Sequence, residues 1–211
     1  MKSWIVASLI GLTSLSFSAC SKNVSDTASC STGTQVDAVC FQVSDQRNLI
    51  FSNGVLSGLG SAVAINPLAD SRDSGRNITA TFSLQEGGSL VFKTFSKNDL
   101  SSGVDIKLSR ISSKLNLSFV QGETVSASKE LAGVDSSAEI KLILDVHNDE
   151  SPAHIVIWNG AESFKKDQPL FDSEEPNSVQ PAGNGMDKFW GVSLDKSSLS
   201  KVALGEPKDD E

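Results

Sequence analysis

The chain has 211 residues, of which 38% are hydrophobic and 21% are charged. This is the composition of a folded domain rather than of a disordered chain. Its 26 acidic residues outnumber its 18 basic residues, which gives a formal net charge of −8. Because such a chain repels phosphate groups, we exclude nucleic acid as a partner. No apolar run reaches the roughly 18 residues of a membrane-spanning helix, which excludes a protein with several such helices.

The first residues have the organisation of a secretion signal. Lys2 precedes an apolar stretch from Trp4 to Leu12, which is long enough for a signal sequence and too short to span a bilayer. Ser18-Ala19-Cys20 follows this stretch after a short interval. Small residues before a cysteine resemble the lipobox of bacterial lipoproteins, although Phe17 stands where that family usually has leucine.

The lipobox resemblance implies that Cys20 receives a thioether-linked diacylglycerol, that the chain is cut before it, and that the new N-terminus is acylated. Membrane lipid is then a partner, and the location is the bacterial cell envelope. Ser21 follows the cysteine, which implies the outer membrane if the host is diderm. The alternative is an ordinary secretory signal cut near Ala19, with Cys20 an incidental thiol.

The three cysteines form an odd set for an exported protein. If Cys20 carries lipid, Cys30 and Cys40 remain as a pair. A disulfide between them closes a short loop, contributes roughly 3 kcal/mol and suits an oxidising compartment. The alternatives are two free thiols or a metal site, but no histidine lies nearby to complete a zinc site.

The chain divides into four segments by composition. Residues 1–19 are expected to be the signal. Residues 20–40 are expected to be the lipidated cysteine and a flexible tether rich in serine, threonine, aspartate and glycine. Residues 41–205 form the body, and 206–211 are an acidic tail.

The body is dominated by alternation of apolar and polar residues. The pattern is clearest in 78–84, 104–109, 115–119 and 140–146, and turn residues recur between these segments. A period of two with one dry face predicts antiparallel strands packed as a β-sandwich. Gly87-Gly88, between two such segments, predicts a hairpin turn.

Several segments resemble the concanavalin A-like or laminin-G-like jelly roll. They are Val104–Arg110, Lys114–Val120, Ile140–Asn148, His154–Gly160 and Phe189–Leu194. The resemblance implies an all-β fold in which antiparallel strands cross a curved sheet. It also implies a body that binds carbohydrate or serves in adhesion and display, a function that the fold alone does not establish.

A polar cluster follows one of the predicted strands. Asp145, His147, Asn148 and Asp149 offer oxygen and imidazole ligands, which makes calcium the one cofactor that the sequence suggests. The alternative is an ordinary hairpin turn, because asparagine and aspartate are common turn residues. The cluster lacks the Asp-x-Asp-x-Asp-Gly spacing of a calcium loop.

No catalytic motif is present. The chain has no Gly-x-Ser-x-Gly elbow, and it lacks the Glu-x-Asp-x-x-Glu strand of the glucanase branch of the jelly roll. The sequence therefore predicts a protein that is not an enzyme. The alternative is a hydrolase for an envelope polysaccharide or ester, which would need a pocket that holds two or more of Glu139, Asp145, His147 and His154 with converging side chains.

Aromatic side chains are the expected ligand surface of a sugar-binding sandwich. Trp158 is out of phase with its apolar neighbours, Trp190 follows Phe189, and Phe164 and Phe171 lie in the long loop 161–187. We predict these four, Trp158, Trp190, Phe164 and Phe171, as ligand-binding residues. The alternative is that the long loop folds back and buries them.

The favoured function is a membrane-anchored envelope lipoprotein whose sandwich binds a glycan, an envelope polymer or a protein partner. A structural role is the third possibility. In that case the acidic run 172–175 would serve the assembly of an envelope complex.

Overall fold

A computed structural model describes Cys30, Leu68 and the ranges 33–43, 49–65, 77–147, 152–181 and 187–205. The expected signal, Cys20, the acidic tail, Asn148 and Asp149 lie outside these residues. Within the described residues, no helix has the length and apolarity needed to cross a bilayer.

The described residues form antiparallel β-structure with a single short helix. The strands are β1 (Thr34–Val36), β2 (Val39–Val43), β3 (Leu49–Ser52), β4 (Val55–Ala64), β5 (Asn77–Ser96), β6 (Val104–Ile111), β7 (Lys114–Gln121), β8 (Thr124–Val125), β9 (Lys129–Asp135), β10 (Ile140–His147), β11 (His154–Trp158), β12 (Phe171–Asp172) and β13 (Phe189–Leu204), and the helix is α1 (Gly160–Ser163). The predicted all-β, antiparallel fold is confirmed.

Two long strands connect the halves of the sheet. β5 and β13 pair with each other along most of their length. The first part of β5 pairs with β10, which continues the sheet to β11 and β12. The second part of β5 pairs with β6, which continues it to β7 and β9. Each half therefore has its own outer strands but shares the same two central ones.

β5 bends sharply where its two halves meet. The Phe82 and Phe92 ring centroids are 6.4 Å apart, although ten residues of straight strand would span roughly 33 Å. Along β13, Leu84 pairs with Ser197 and Ser89 pairs with Asp195, so residues 85–88 bulge out of the ladder. The hairpin predicted at Gly87-Gly88 is therefore wrong. The segments before and after the bulge both run antiparallel to β13, whereas a hairpin would reverse the chain.

The bend brings the two halves face to face as a sandwich. The Phe119 ring of β7 contacts the Phe171 ring of β12, with centroids 5.8 Å apart, across the space between the halves. The alternating apolar residues of both halves, from Leu90 and Ile106 to Leu142 and Ile155, are fully buried in one continuous core. The sandwich predicted from period-two alternation is therefore present.

The sandwich begins earlier than the sequence suggested. β1 and β2 form a hairpin in which Val36 and Val39 are buried against the core. The boundary at residue 41 is thus too late, because the polar composition of 21–39 conceals two apolar anchors. The predicted Cys30–Cys40 disulfide is confirmed, with Cα atoms 5.6 Å apart, and it ties the chain before β1 to β2.

Candidate functional site

The outward face of one half of the sandwich carries the polar residues of the alternating strands. On β5, Leu90 and Phe92 point into the core while Val91 and Lys93 point outward. On β6, Ile106 is buried and its neighbours are only half-buried. The period of two thus places a polar layer on the surface of four adjacent strands.

An open groove of about 630 Å³ lies on this face. Its volume falls within the range of small-molecule sites in proteins. The residues that line it include charged, polar and apolar side chains: Lys93, Asp105 and Lys107; Ser101, Ser102, Gln121 and Ser193; and Val91, Leu100, Val120 and Val125. Among the described residues that line it, none is aromatic.

Strand register sets the pattern of the groove floor. Val91 pairs with Ser193 of β13 on one side and with Lys107 of β6 on the other. One step along, Lys93 pairs with Asp105. Since directly paired residues on antiparallel strands have neighbouring Cβ atoms, a hydroxyl, an apolar patch and an ammonium group lie side by side across three strands.

The carboxylate of the groove is already paired. Lys93 Nζ donates a hydrogen bond to Asp105 Oδ2 at 2.5 Å, and both side chains are largely shielded from solvent. Burial raises the pKa of Asp105, and the Lys93 ammonium offsets part of that rise. Ionising Asp105 is therefore harder in the folded chain than in the unfolded chain. The ion pair with Lys93 offsets part of the free-energy cost of burying the carboxylate.

Lys107 has no such partner among the described residues. No carboxylate of the described residues lies within ion-pair distance of its ammonium group, whereas the Lys93 ammonium lies on Asp105. With two ammonium groups and one carboxylate, the groove carries one positive charge in excess. This local sign is opposite to the net charge of the whole chain, which is −8.

One rim of the groove is a turn with unusual backbone angles. Phe95 and Leu100 adopt φ values of 50° and 58°, in a region of backbone angles that residues other than glycine rarely occupy. The turn is held by hydrogen bonds from the Leu100 amide to the Lys97 carbonyl at 2.9 Å and from Thr94 Oγ1 to the Val104 carbonyl at 2.9 Å. Strained backbone of this kind is concentrated at binding and catalytic sites.

The turn is fixed onto the sheet by Leu100 and Gly191. A Cβ atom at Gly191 would lie 2.8 Å from Leu100 Cδ1 and 2.3 Å from the Ala62 carbonyl oxygen. Only glycine leaves room for Leu100 to pack there, which explains a glycine inside β13. The packing of Leu100 against Gly191 therefore holds this rim in one position over the groove.

The predicted aromatic surface is largely wrong. Trp190 and Phe171 are fully buried, and Phe164 is 8% exposed. Trp190 contacts the Phe41 ring edge-on inside the core, and it is Phe189 that points to solvent. Phe171 is buried because β12 pairs with β11 and places its ring against Phe119. Trp190 is buried because it occupies an inward-facing position of β13.

Trp158 is the one of these four residues that stays partly accessible. It lies on the outward face of the other half of the sandwich, as its phase predicted, and its ring packs edge-on against Phe164 at 5.7 Å. Its position is on a different half of the sandwich from the groove. Its role as a ligand-binding residue stays a prediction.

The predicted metal residues are only partly described. His147 Nε2 lies 2.7 Å from Asp145 Oδ1, while Asn148 and Asp149 lie outside the described residues. In the part of the chain that the structure describes, no three side chains from histidine, cysteine, aspartate and glutamate are placed to hold a metal ion. The calcium site stays a prediction.

Of the four residues of the hydrolase alternative, Asp145, His147 and His154 lie together and Glu139 lies apart from them, and the alternative stays a prediction. The His147 and His154 rings stack with centroids 5.8 Å apart, and His154 Nε2 lies 3.0 Å from Asp172 Oδ1. Glu139 is six residues before Asp145 along the chain, a separation of roughly 20 Å in an extended strand. Its carboxylate accepts a hydrogen bond from Ser200 Oγ at 3.4 Å, so it does not join the histidines.

Sequence reasoning missed the groove residues. Lys93, Asp105 and Lys107 occupy polar positions of alternating strands, and such positions normally face solvent without further role. The available signal was the Asp105-Ile106-Lys107 spacing, which places two opposite charges on one face. What joins them to Lys93 and Ser193 is strand register between segments that are far apart in sequence.

No protein-family model matches the sequence, and no curated protein does so either. Among solved structures, the chain is similar to the carbohydrate-binding module CBM66 from Bacillus subtilis, with 11% identity, coverage of 72% of this chain and 85% of that one, and a TM-score of 0.46. It is also similar to a native glycosidic hydrolase, with 10% identity, coverage of 77% and 82%, and a TM-score of 0.44.

A third similar structure is a β-1,3-1,4-glucanase derived from a mouse hindgut metagenome. The identity is 9%, the coverage is 73% of this chain and 83% of that one, and the TM-score is 0.38. Because the three TM-scores lie below one half, the fold assignment rests on strand pairing and burial in this chain.

Proposed function

We propose that this protein is a lipid-anchored envelope protein, not an enzyme, whose β-sandwich binds a saccharide in the groove formed by β5, β6, β7 and β13. The groove is the observation that carries the proposal. It combines hydroxyl, amide and ammonium groups, which hydrogen-bond sugar hydroxyls, with the apolar side chains of Val91 and Val120, which cover the apolar face of a sugar ring.

The small number of carboxylates in the groove favours binding without hydrolysis. A glycosidase needs two carboxyl groups that flank the scissile bond. Among the described residues that line the groove, Asp105 is the single acid, and its charge is taken up by Lys93. The similar structures include a carbohydrate-binding module, which agrees with this proposal but does not carry it.

Substitution of Ser193 by glutamine tests the binding site. The longer neutral side chain would occupy the floor beside Val91, so we expect binding of any groove ligand to weaken by at least roughly tenfold. Affinity electrophoresis in gels containing dextran, laminarin, polygalacturonate or dextran sulfate measures this. Ser109→Gln is the matched control, because Ser109 is also half-buried on an outward-facing strand position but does not line the groove.

The outcome separates the groove from other surfaces. Loss of retardation in Ser193→Gln alone supports the proposal. Equal retardation of both variants and the wild type would place the saccharide elsewhere on the protein, and no retardation in any gel would remove saccharide binding as the function.

Anchoring is proposed from the lipobox and from the cysteine pairing. Because Cys30 and Cys40 are joined, Cys20 is the remaining cysteine of the three in the chain. Several acyl chains hold a protein at a membrane far more firmly than one. This makes Cys20 the residue on which the membrane location depends.

We expect Cys20→Ala to move the protein from the membrane fraction to the soluble or unprocessed fraction. Mass spectrometry of the wild-type N-terminus should then show a lipid-modified peptide that begins at Cys20. An unmodified N-terminus, or a Cys20→Ala protein that still fractionates with membranes, would refute the anchor and leave the groove proposal standing.

A further inference from the structure

The most unusual chemical feature of the groove is the ammonium group of Lys107. Lys107 lines the groove and is half-buried as a residue, and no carboxylate of the described residues pairs with its ammonium group. The other ammonium of the groove is bound to Asp105 at 2.5 Å. One cation is thus already neutralised by the protein, and the other is left for a ligand.

The charge of the whole chain makes this arrangement more significant. A protein with a net charge of −8 repels anions at long range, and salt screens that repulsion beyond about 8–10 Å. A positive groove on such a protein acts only at short range, on an anion that has already entered it. The positive charge of the groove therefore affects which ligand is bound, and it does little to attract anions from a distance.

The neighbours of Lys107 indicate what carries the anion. Val91 separates it from the Ser193 hydroxyl by strand register. An apolar patch about one strand wide, flanked by a hydroxyl and an ammonium group, matches a sugar ring that bears hydroxyls on one side and an acidic substituent on the other. A small inorganic anion would leave Val91 and Ser193 without a role.

We infer that the groove selects an anionic saccharide, one that carries a carboxylate or a sulfate, and that Lys107 binds its charged group. This inference rests on the proposed saccharide-binding function and specifies its ligand class. The two sources of negative charge share the same chemistry toward an ammonium group, so the experiment must separate them.

Matched polymers isolate the charge of the ligand. Polygalacturonate and its methyl ester have the same backbone but differ in the free carboxylate, and dextran sulfate and dextran differ in the sulfate. We expect the wild type to bind at least one anionic member and to bind its neutral counterpart more weakly. Calorimetry and affinity electrophoresis both measure the difference, and binding should weaken as salt rises.

Lys107→Met tests the residue, because methionine keeps much of the length of the lysine side chain and removes its charge. A hydrogen bond to a charged group corresponds to roughly 10- to 100-fold in affinity, and we expect a loss of that size for the anionic polymer alone. Lys141→Met is the matched control. It also removes one outward-facing lysine charge from a strand, but it lies on β10 in the other half of the sandwich.

A second variant gives the opposite expected result. Asp105→Asn frees the Lys93 ammonium and raises the excess charge of the groove by one, so the anionic polymer should bind more tightly while its neutral partner is unaffected. This gain cannot come from misfolding. It therefore protects the test against a Lys107→Met protein that fails to fold.

The outcomes are distinguishable. Weaker anion binding in Lys107→Met with tighter binding in Asp105→Asn supports the inference, and the polymer that shows it identifies carboxylate or sulfate. Equal binding of charged and neutral polymers, lost in Ser193→Gln but not in Lys107→Met, would overturn the inference and keep saccharide binding. Equal losses in Lys107→Met and Lys141→Met would reduce the effect to general charge, and no binding at all would overturn both proposals.

Discussion

Trp190→Ala is expected to lower the free energy of unfolding by about 3–5 kcal/mol, the cost of truncating a large aromatic residue in a packed core. Trp190 is fully buried, and its ring contacts Phe41 edge-on at a centroid distance of 5.7 Å. Truncation would leave a cavity where β2 packs against β13. Urea unfolding followed by circular dichroism measures the change in midpoint at constant slope.

The adjacent residue provides the control for this prediction. Phe189→Ala removes a ring that is 41% exposed, so we expect a much smaller loss, within about 1 kcal/mol. If Trp190→Ala does not fold, Trp190→Phe keeps part of the ring volume and should show an intermediate loss. A Trp190→Ala protein as stable as the wild type, with weakened saccharide binding, would instead restore Trp190 as a ligand-binding residue.

Removing the Cys30–Cys40 disulfide is expected to cost roughly 3 kcal/mol, the loop-entropy value for a bridge that closes about ten residues. The bridge joins the chain before β1 to a buried position of β2, where Cys40 pairs with Gln35. Without it, the short β1–β2 hairpin is held by the pairing of β2 with β4 and by the burial of Val36, Val39 and Phe41. We expect the Cys30→Ser, Cys40→Ser double variant to unfold at lower urea than the wild type.

Reduction of the wild type supplies an independent control. The wild type in dithiothreitol should unfold at the same urea concentration as the double variant, and dithiothreitol should not change the double variant. A double variant as stable as the oxidised wild type would show that the bridge does not constrain the unfolded chain. Such a result would also weaken the use of this pairing in assigning Cys20 to lipid.

The burial of the aromatic residues bears on the proposed binding of a saccharide. Three of the four aromatic residues predicted as a platform contribute to the core instead. The groove is lined by hydroxyl, amide and charged groups together with valine and leucine side chains, so the proposed recognition of a saccharide depends on hydrogen bonds, apolar contact and charge rather than on stacking. This makes binding more sensitive to the charge of the ligand and to salt than stacking on an aromatic platform would be.

The fold class was predictable because the alternation of apolar and polar residues is visible within each strand. Alternation in segments such as 104–109 and 140–146 assigns an inward and an outward face without knowledge of any partner strand. The sharp bend of β5 was not predictable in this way. Gly87-Gly88 fits both a hairpin turn and a bulge, and only the pairing of Leu84 and Ser89 with the same strand, β13, distinguishes them.

The sequence by itself determined the all-β class and the antiparallel alternation, because these depend on local period. It left the pairing of Cys30 with Cys40 as one of several alternatives, and the structure selected it. Tertiary structure alone decided which aromatic rings are buried, since Phe171 reaches the core only through the pairing of β12 with β11. Tertiary structure also decided which residues line the groove. Lys93, Lys107 and Ser193 come from three strands, and their proximity follows from register between segments up to about a hundred residues apart, which no local pattern encodes.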